Sequence, residues 1–199
     1  MNKKLNNYFS IKAWPWWDKL LVIFIIAFSL VVTFVPNGIP FGGPFLLISI
    51  YGLWCSKSSK AKDHEVDEYI DTLINNYHIE IDSFTTATFD LSCGYVVLGK
   101  DYKWRSSYYV IIKFNFEDDR CEISSYILNI MNSEIEEMHY TLAKSEKCYI
   151  KEENIYKCGV TKKIFYLISD SLEDKKLIVD LNDAQCSKIV NRLLHNEKV

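Results

Sequence analysis

Between Lys19 and Lys57 the chain has no charged side chain, a run of 37 residues. An amphipathic helix at a water-facing surface needs a polar stripe, and this run offers none. One membrane-spanning helix takes about 20 residues. Pro36-Asn37-Gly38-Ile39-Pro40 divides the run with two prolines, a glycine and an asparagine, residues that favour a turn. The sequence therefore predicts a two-helix transmembrane hairpin over 16–56, with a first span at 16–35 and a second at 41–55. The second span is the shorter, and Gly42, Gly43 and Pro44 weaken its start, so a tilted or re-entrant segment stays open.

Orientation follows from the lysines. Lys3, Lys4, Lys12 and Lys19 precede the pair, Lys57, Lys60 and Lys62 follow it, and the turn has none. Residues 1–15 and the whole C-terminal part are thus expected on the cytoplasmic side of the inner membrane, in a multi-pass protein with both termini cytoplasmic. Trp14, Trp16, Trp17 and Trp54 fall at one expected edge of the bilayer, where an indole keeps its ring in the acyl boundary and its N–H in the headgroup layer. Gly42, Gly43, Ser49 and Gly52 would let such hairpins self-associate at close range. A cleaved signal peptide competes, but Trp16 and Trp17 are unusual ahead of an apolar run and no A-x-A site follows.

Charge divides the chain at the same place. Residues 1–62 hold seven lysines and one acid, Asp18, whereas the remainder holds 16 basic and 25 acidic residues. A domain that acidic repels phosphate backbones and bare anionic lipid, which disfavours nucleic acid as a partner. Cys93, Cys121, Cys148, Cys158 and Cys186 are an odd set without CxxC spacing. Free thiols in a reducing cytosol are the simplest account, although Cys148 and Cys158 would face one another across a hairpin turning at 151–154.

After a polar linker, helical spacing returns within 57–78. Asp63 stands as N-cap, and Val66, Tyr69, Ile70, Leu73, Ile74 and Tyr77 form one apolar stripe, with Glu65, Asp67, Glu68, Asp71 and Asn75 away from it. From 79 onward the pattern is strand. Tyr108, Val110, Ile112, Phe114 and Phe116 alternate with Ser107, Tyr109, Ile111, Lys113 and Asn115, and Glu117-Asp118-Asp119-Arg120 makes a turn. Further strands are expected at 121–128, 135–143, 147–151, 155–158, 163–169 and 176–181. The whole reads as an antiparallel meander or partly open barrel of about seven to nine strands. Asn182 then caps a C-terminal helix, with Gln185 at the capping-box position and Cys186, Ile189, Val190 and Leu193 as its buried stripe.

Hairpin, linking helix, meander and C-terminal helix together resemble bacterial membrane-anchored pleckstrin-homology-like proteins. That resemblance covers most of the chain in architecture and implies a partly open barrel of about seven strands closed at one end by the last helix. No sequence motif accompanies it, so it carries over no functional residue. The chain also resembles two-span, β-barrel effectors of bacterial anti-phage signalling, in which a cyclic nucleotide bound in the barrel triggers membrane damage.

Beyond residue 62 only Gly94, Gly99 and Gly159 remain. Phosphate loops need unobstructed backbone N–H groups, so a P-loop and a G-x-G-x-x-G dinucleotide site are excluded. No G-x-S-x-G, H-E-x-x-H or zinc-finger spacing occurs, and neither a catalytic residue, a metal nor a cofactor is assigned. His139 falls on the polar face of a strand beside Glu137, where an exposed side chain is the plain reading. Glu136 and Glu137 are adjacent on a strand and point to opposite faces, so they cannot share one ion.

The candidate binding segment is Lys100-Asp101-Tyr102-Lys103-Trp104-Arg105. It places Lys100, Lys103 and Arg105 beside Trp104 between two strands of an acidic domain, where cations would hold a phosphate while the indole stacks a ring. The plainer alternative is a solvated hairpin tip. The functional expectation is a membrane-anchored cytoplasmic β domain, non-enzymatic, that binds a protein partner, self-associates or senses a ligand, with membrane lipid held by the hairpin. The alternative is a ligand-gated, membrane-disrupting effector of a bacterial defence system that responds to a small phosphorylated or cyclic nucleotide ligand.

Overall fold

The computed structural model describes residues 2–12, 16–34, 43–44, 46–51, 61–157, 159–172 and 176–195. The chain forms two compact units, Met1–Lys62 and Asp63–Val199. Their boundary coincides with the step from basic to acidic sequence.

The described residues of the first unit up to Tyr51 are helical. Helix α1 (Asn2–Lys12) buries Leu5, Tyr8 and Phe9, spaced at i, i+3 and i+4, with the two rings edge-to-face at 5.0 Å. Helix α2 (Trp16–Phe34) has no polar stripe, and Ile23, Phe24, Phe28, Val31 and Phe34 are all exposed along it. Its buried Ser29 donates to the Ile25 carbonyl at 2.8 Å, which satisfies the hydroxyl inside the helix.

Among the described residues no helix is long and apolar enough to cross a membrane. This corrects the expected hairpin, and the multi-pass inner-membrane placement that rested on it is withdrawn. The physical reason is length. Asp18 and Lys19 occupy the first turn of α2, so its uncharged part runs only over 20–34. At 1.5 Å per residue that part spans about 22 Å, against a hydrocarbon core of about 30 Å. The turn expected at 36–40 lies outside the described residues, as do Trp14, Trp54, Gly42 and Gly52. Trp16 and Trp17 open α2, while Gly43 and Ser49 fall on helical residues.

The second unit begins with α3 (Asp63–Asn76), whose buried residues are Val66, Ile70, Leu73 and Ile74. The Tyr69 hydroxyl lies 2.5 Å from Ser133 Oγ, and the Tyr77 hydroxyl donates to the Ser133 carbonyl at 2.6 Å, so the helix is tied to the β domain. Among the described residues nine strands follow: β1 (Thr85–Phe89), β2 (Val96–Leu98), β3 (Trp104–Ser106), β4 (Tyr108–Phe116), β5 (Arg120–Asn129), β6 (Glu134–Ala143), β7 (Tyr149–Lys157), β8 (Val160–Ile168) and β9 (Leu177–Val179). Helix α4 (Ala184–His195) closes the described chain.

These strands form three antiparallel sheets, β1-β4-β5-β6, β2-β3 and β7-β8-β9. The single meander or partly open barrel expected from the sequence is therefore corrected to a mainly-β fold in which the described strands form no closed barrel. β7 instead takes β8 as its partner along its whole length, from Tyr149↔Ile168 to Lys157↔Val160, through the tight turn at Gly159, so β6 ends the first sheet. β7 is also one strand where two were expected. Its polar centre is stabilised across the sheet by Glu152–Lys163 at 2.8 Å and Glu153–Lys176 at 2.6 Å, and no turn forms at 151–154. The chain reverses instead at Gly159, whose φ of 80° suits a residue without Cβ. The reason for Cys148 and Cys158 to face one another is thereby lost, and Cys158 lies outside the described residues.

The main core joins two sheets and the last helix. Val110, Ile112 and Phe114 of β4 meet Leu167 of β8, Val179 of β9, and Cys186, Ile189, Val190 and Leu193 of α4. All four α4 positions are those expected from helical spacing. The cap differs by one residue, because Asp183 Oδ1 accepts the Cys186 N–H at 2.7 Å while Asn182 donates to Asp180. Gln185 does not close a capping box but donates to the Asp82 and Thr85 carbonyls.

Candidate ligand cleft

The β2-β3 hairpin reverses through 99–103. Gly99 donates to the Lys103 carbonyl at 2.8 Å, and Tyr102 adopts a φ of 62° at the tip, where its side chain is 86% exposed. From this tip Tyr102, Lys103 and Trp104 line a cleft of about 580 Å³, within the size range of small-molecule sites. The opposite wall comes from β1 and from the β8-β9 pair. Lys103 from the hairpin and Lys162 from β8 line the cleft, while the ammonium of Lys163, the next residue on β8, is paired with Glu152 at 2.8 Å. Lys162 Nζ lies 5.5 Å from the centre of the Trp104 ring, a cation–π distance. Phe89 and Tyr109, paired across β1 and β4 with rings edge-to-face at 4.9 Å, supply an apolar wall. Asp180 also lines the cleft, and its Oδ1 is occupied by the backbone and side-chain N–H groups of Asn182.

The four residues expected to bind together are divided. Lys103 and Trp104 reach the cleft, but Arg105 leaves β3 on the other face and is 1% exposed. Its Nε and Nη2 donate to the two oxygens of Asp67 at 2.9 and 2.7 Å, and its Nη1 and Nη2 donate to those of Asp101 at 2.9 and 2.7 Å. The reason is strand geometry: successive side chains point to opposite faces, so Trp104 and Arg105 cannot serve one pocket. The guanidinium holds the Asp101 carboxyl well below the usual carboxylate range. Lys100 is exposed, and its backbone N–H donates to Asp63 Oδ2 at 2.6 Å. Asp67, placed by the sequence on the solvated side of α3, is thus a grip on the hairpin.

Sequence reasoning missed Lys162, Lys163, Phe89 and Tyr109, since the distance along the chain to Trp104 gives no sign of their approach. The Lys162-Lys163 doublet was the available signal.

The remaining candidates lie elsewhere. His139 is 67% exposed on β6, with Nε2 3.2 Å from Glu137 and Nδ1 3.1 Å from Ser124 Oγ. A general base there would stand in water on an exposed sheet face. Burial pushes the Cys121 thiol up to about 12 and the Cys186 thiol up to about 11, so both are poor nucleophiles at neutral pH. Among the described residues no group of three or more His, Cys, Asp or Glu could hold a metal ion. No family model matches this chain, and neither a curated protein nor a solved structure matches it.

Proposed function

We propose that the unit Asp63–Val199 is a non-enzymatic ligand-sensing module whose cleft takes a small phosphorylated molecule bearing a planar ring. One observation carries this reading. In a unit with 25 acidic and 16 basic residues, Lys103, Lys162 and the Trp104 indole line a single concave site. An ammonium supplies a point charge for phosphate, and an aromatic face beside it stacks a ring. Open access suits reversible binding and release.

Calorimetric titration of the full chain with adenosine 5′-monophosphate and with inorganic phosphate tests the proposal. The nucleotide is expected to bind, phosphate alone more weakly, and Trp104→Ala to weaken nucleotide binding about ten-fold, in line with the loss of one stacking contact. Equal binding by wild type and Trp104→Ala would reject the site. A second reading, recruitment of a cationic protein partner, is favoured by the acidic balance of the same unit.

A further inference from the structure

The hairpin tip that lines the cleft is also held by charged side chains of α3. Asp63 and Asp67 stand at i and i+4 and so project from one face of that helix. Asp63 accepts the Lys100 N–H at 2.6 Å, and Asp67 holds two nitrogens of Arg105. Asp101 closes the fork from within the hairpin, through Arg105 Nη1 and Nη2. A Cβ at Gly99 would overlap both the Asp101 carboxylate and the Arg105 guanidinium and would lie 3.2 Å from the Asp63 carboxyl carbon, so the chain is packed tightly where helix and hairpin meet. Seven residues, 99–105, therefore carry cleft contacts on one side and charged contacts to α3 on the other. Because Trp104 and Arg105 share a peptide bond, a shift of the backbone at Trp104 displaces Arg105 within its fork.

We infer that the 99–105 hairpin is a rocker that couples occupancy of the cleft to the order of α3. The inference rests on the ligand reading above and names how that site is read out. A ligand stacked on Trp104 and held by Lys103 restrains the hairpin, which tightens the Arg105 fork and the Lys100–Asp63 hydrogen bond. α3 begins at the residue that follows the N-terminal unit, so its order is the signal available to the rest of the chain. Asp67 and Arg105 act as positioning residues, because neither lines the cleft.

Hydrogen exchange of the full chain, read by mass spectrometry with and without adenosine 5′-monophosphate, tests the coupling. The nucleotide is expected to slow exchange in both 99–105 and α3, by about five-fold or more in the helix. In Asp67→Asn, whose substitution lies outside the cleft, titration should show affinity kept within about two-fold while protection of α3 disappears. Binding to wild type with protection confined to the cleft would overturn the coupling and leave the ligand reading intact. Absence of binding would overturn the ligand reading, and the unliganded variants then decide the coupling. Asp101→Asn must speed exchange in α3, and Asp67→Asn must speed exchange in 99–105; if neither does, the rocker is rejected as well.

Discussion

Trp104 and Arg105 are neighbours on β3, yet their surroundings are opposite. Trp104 is half-buried at an open cleft with one lysine over its ring, whereas Arg105 is 1% exposed between two carboxylates. A fully desolvated guanidinium is tolerated only with its charge and N–H groups answered, and here both oxygens of each aspartate answer it. The contrast teaches that cations in one short segment can have different surroundings: Arg105 secures structure, and Lys103 lines the open cleft.

Five substitutions break or sharpen that contrast. Arg105→Met should cost the most, about 3 kcal/mol in urea denaturation of the full chain, since it strips the partner from two carboxylates. Trp104→Ala should cost only about 1 kcal/mol, because the ring is half exposed; an equal loss from both would erase the distinction. Next comes Gly99→Ala, expected to destabilise by about 1–2 kcal/mol by forcing the Asp101–Arg105 contact apart.

Asp101→Asn has an effect that depends on pH. The folded-state carboxyl sits below its ordinary value of 3.8 because of Arg105, so its contribution is fully present above that value. It is lost as pH falls through the lower, folded-state value. Wild type and variant should thus differ in stability at pH 7 and converge in acid; a constant difference from pH 7 to pH 2 would mean that the ion pair is not its source. Smallest of all is Lys162→Met, expected to change stability by no more than about 0.5 kcal/mol while weakening nucleotide binding measurably in calorimetry.

Much of the fold was legible wherever short-range periodicity governs. The buried stripe of α4, the apolar face of β4 and the turn at 117–120, where Glu117 N–H donates to the Arg120 carbonyl at 2.9 Å, all follow from spacings within one element. The single long β7 was not legible, because Lys151 to Asn154 has the composition of a turn and is held extended only by partners on β8 and near β9. The same limit applied to Arg105, whose partner Asp67 lies 38 residues away. At α2, apolar composition suggested a span, and among the described residues no helix is long and apolar enough to provide one.

The candidate site was half legible. Trp104 and Lys103 stood out as aromatic and cationic residues in an acidic unit, and the scarcity of glycine excluded phosphate loops without any structure. By itself, the sequence determined the charge division at residue 62, the antiparallel β character and the face of each amphipathic element, since these depend on composition and on neighbours a few positions apart. Only the tertiary structure decided how strands divide into three sheets, which lysines meet Trp104 and that Arg105 is spent on α3. Those outcomes depend on contacts between distant segments, and such contacts are set by packing and charge pairing across the folded unit rather than by any local pattern.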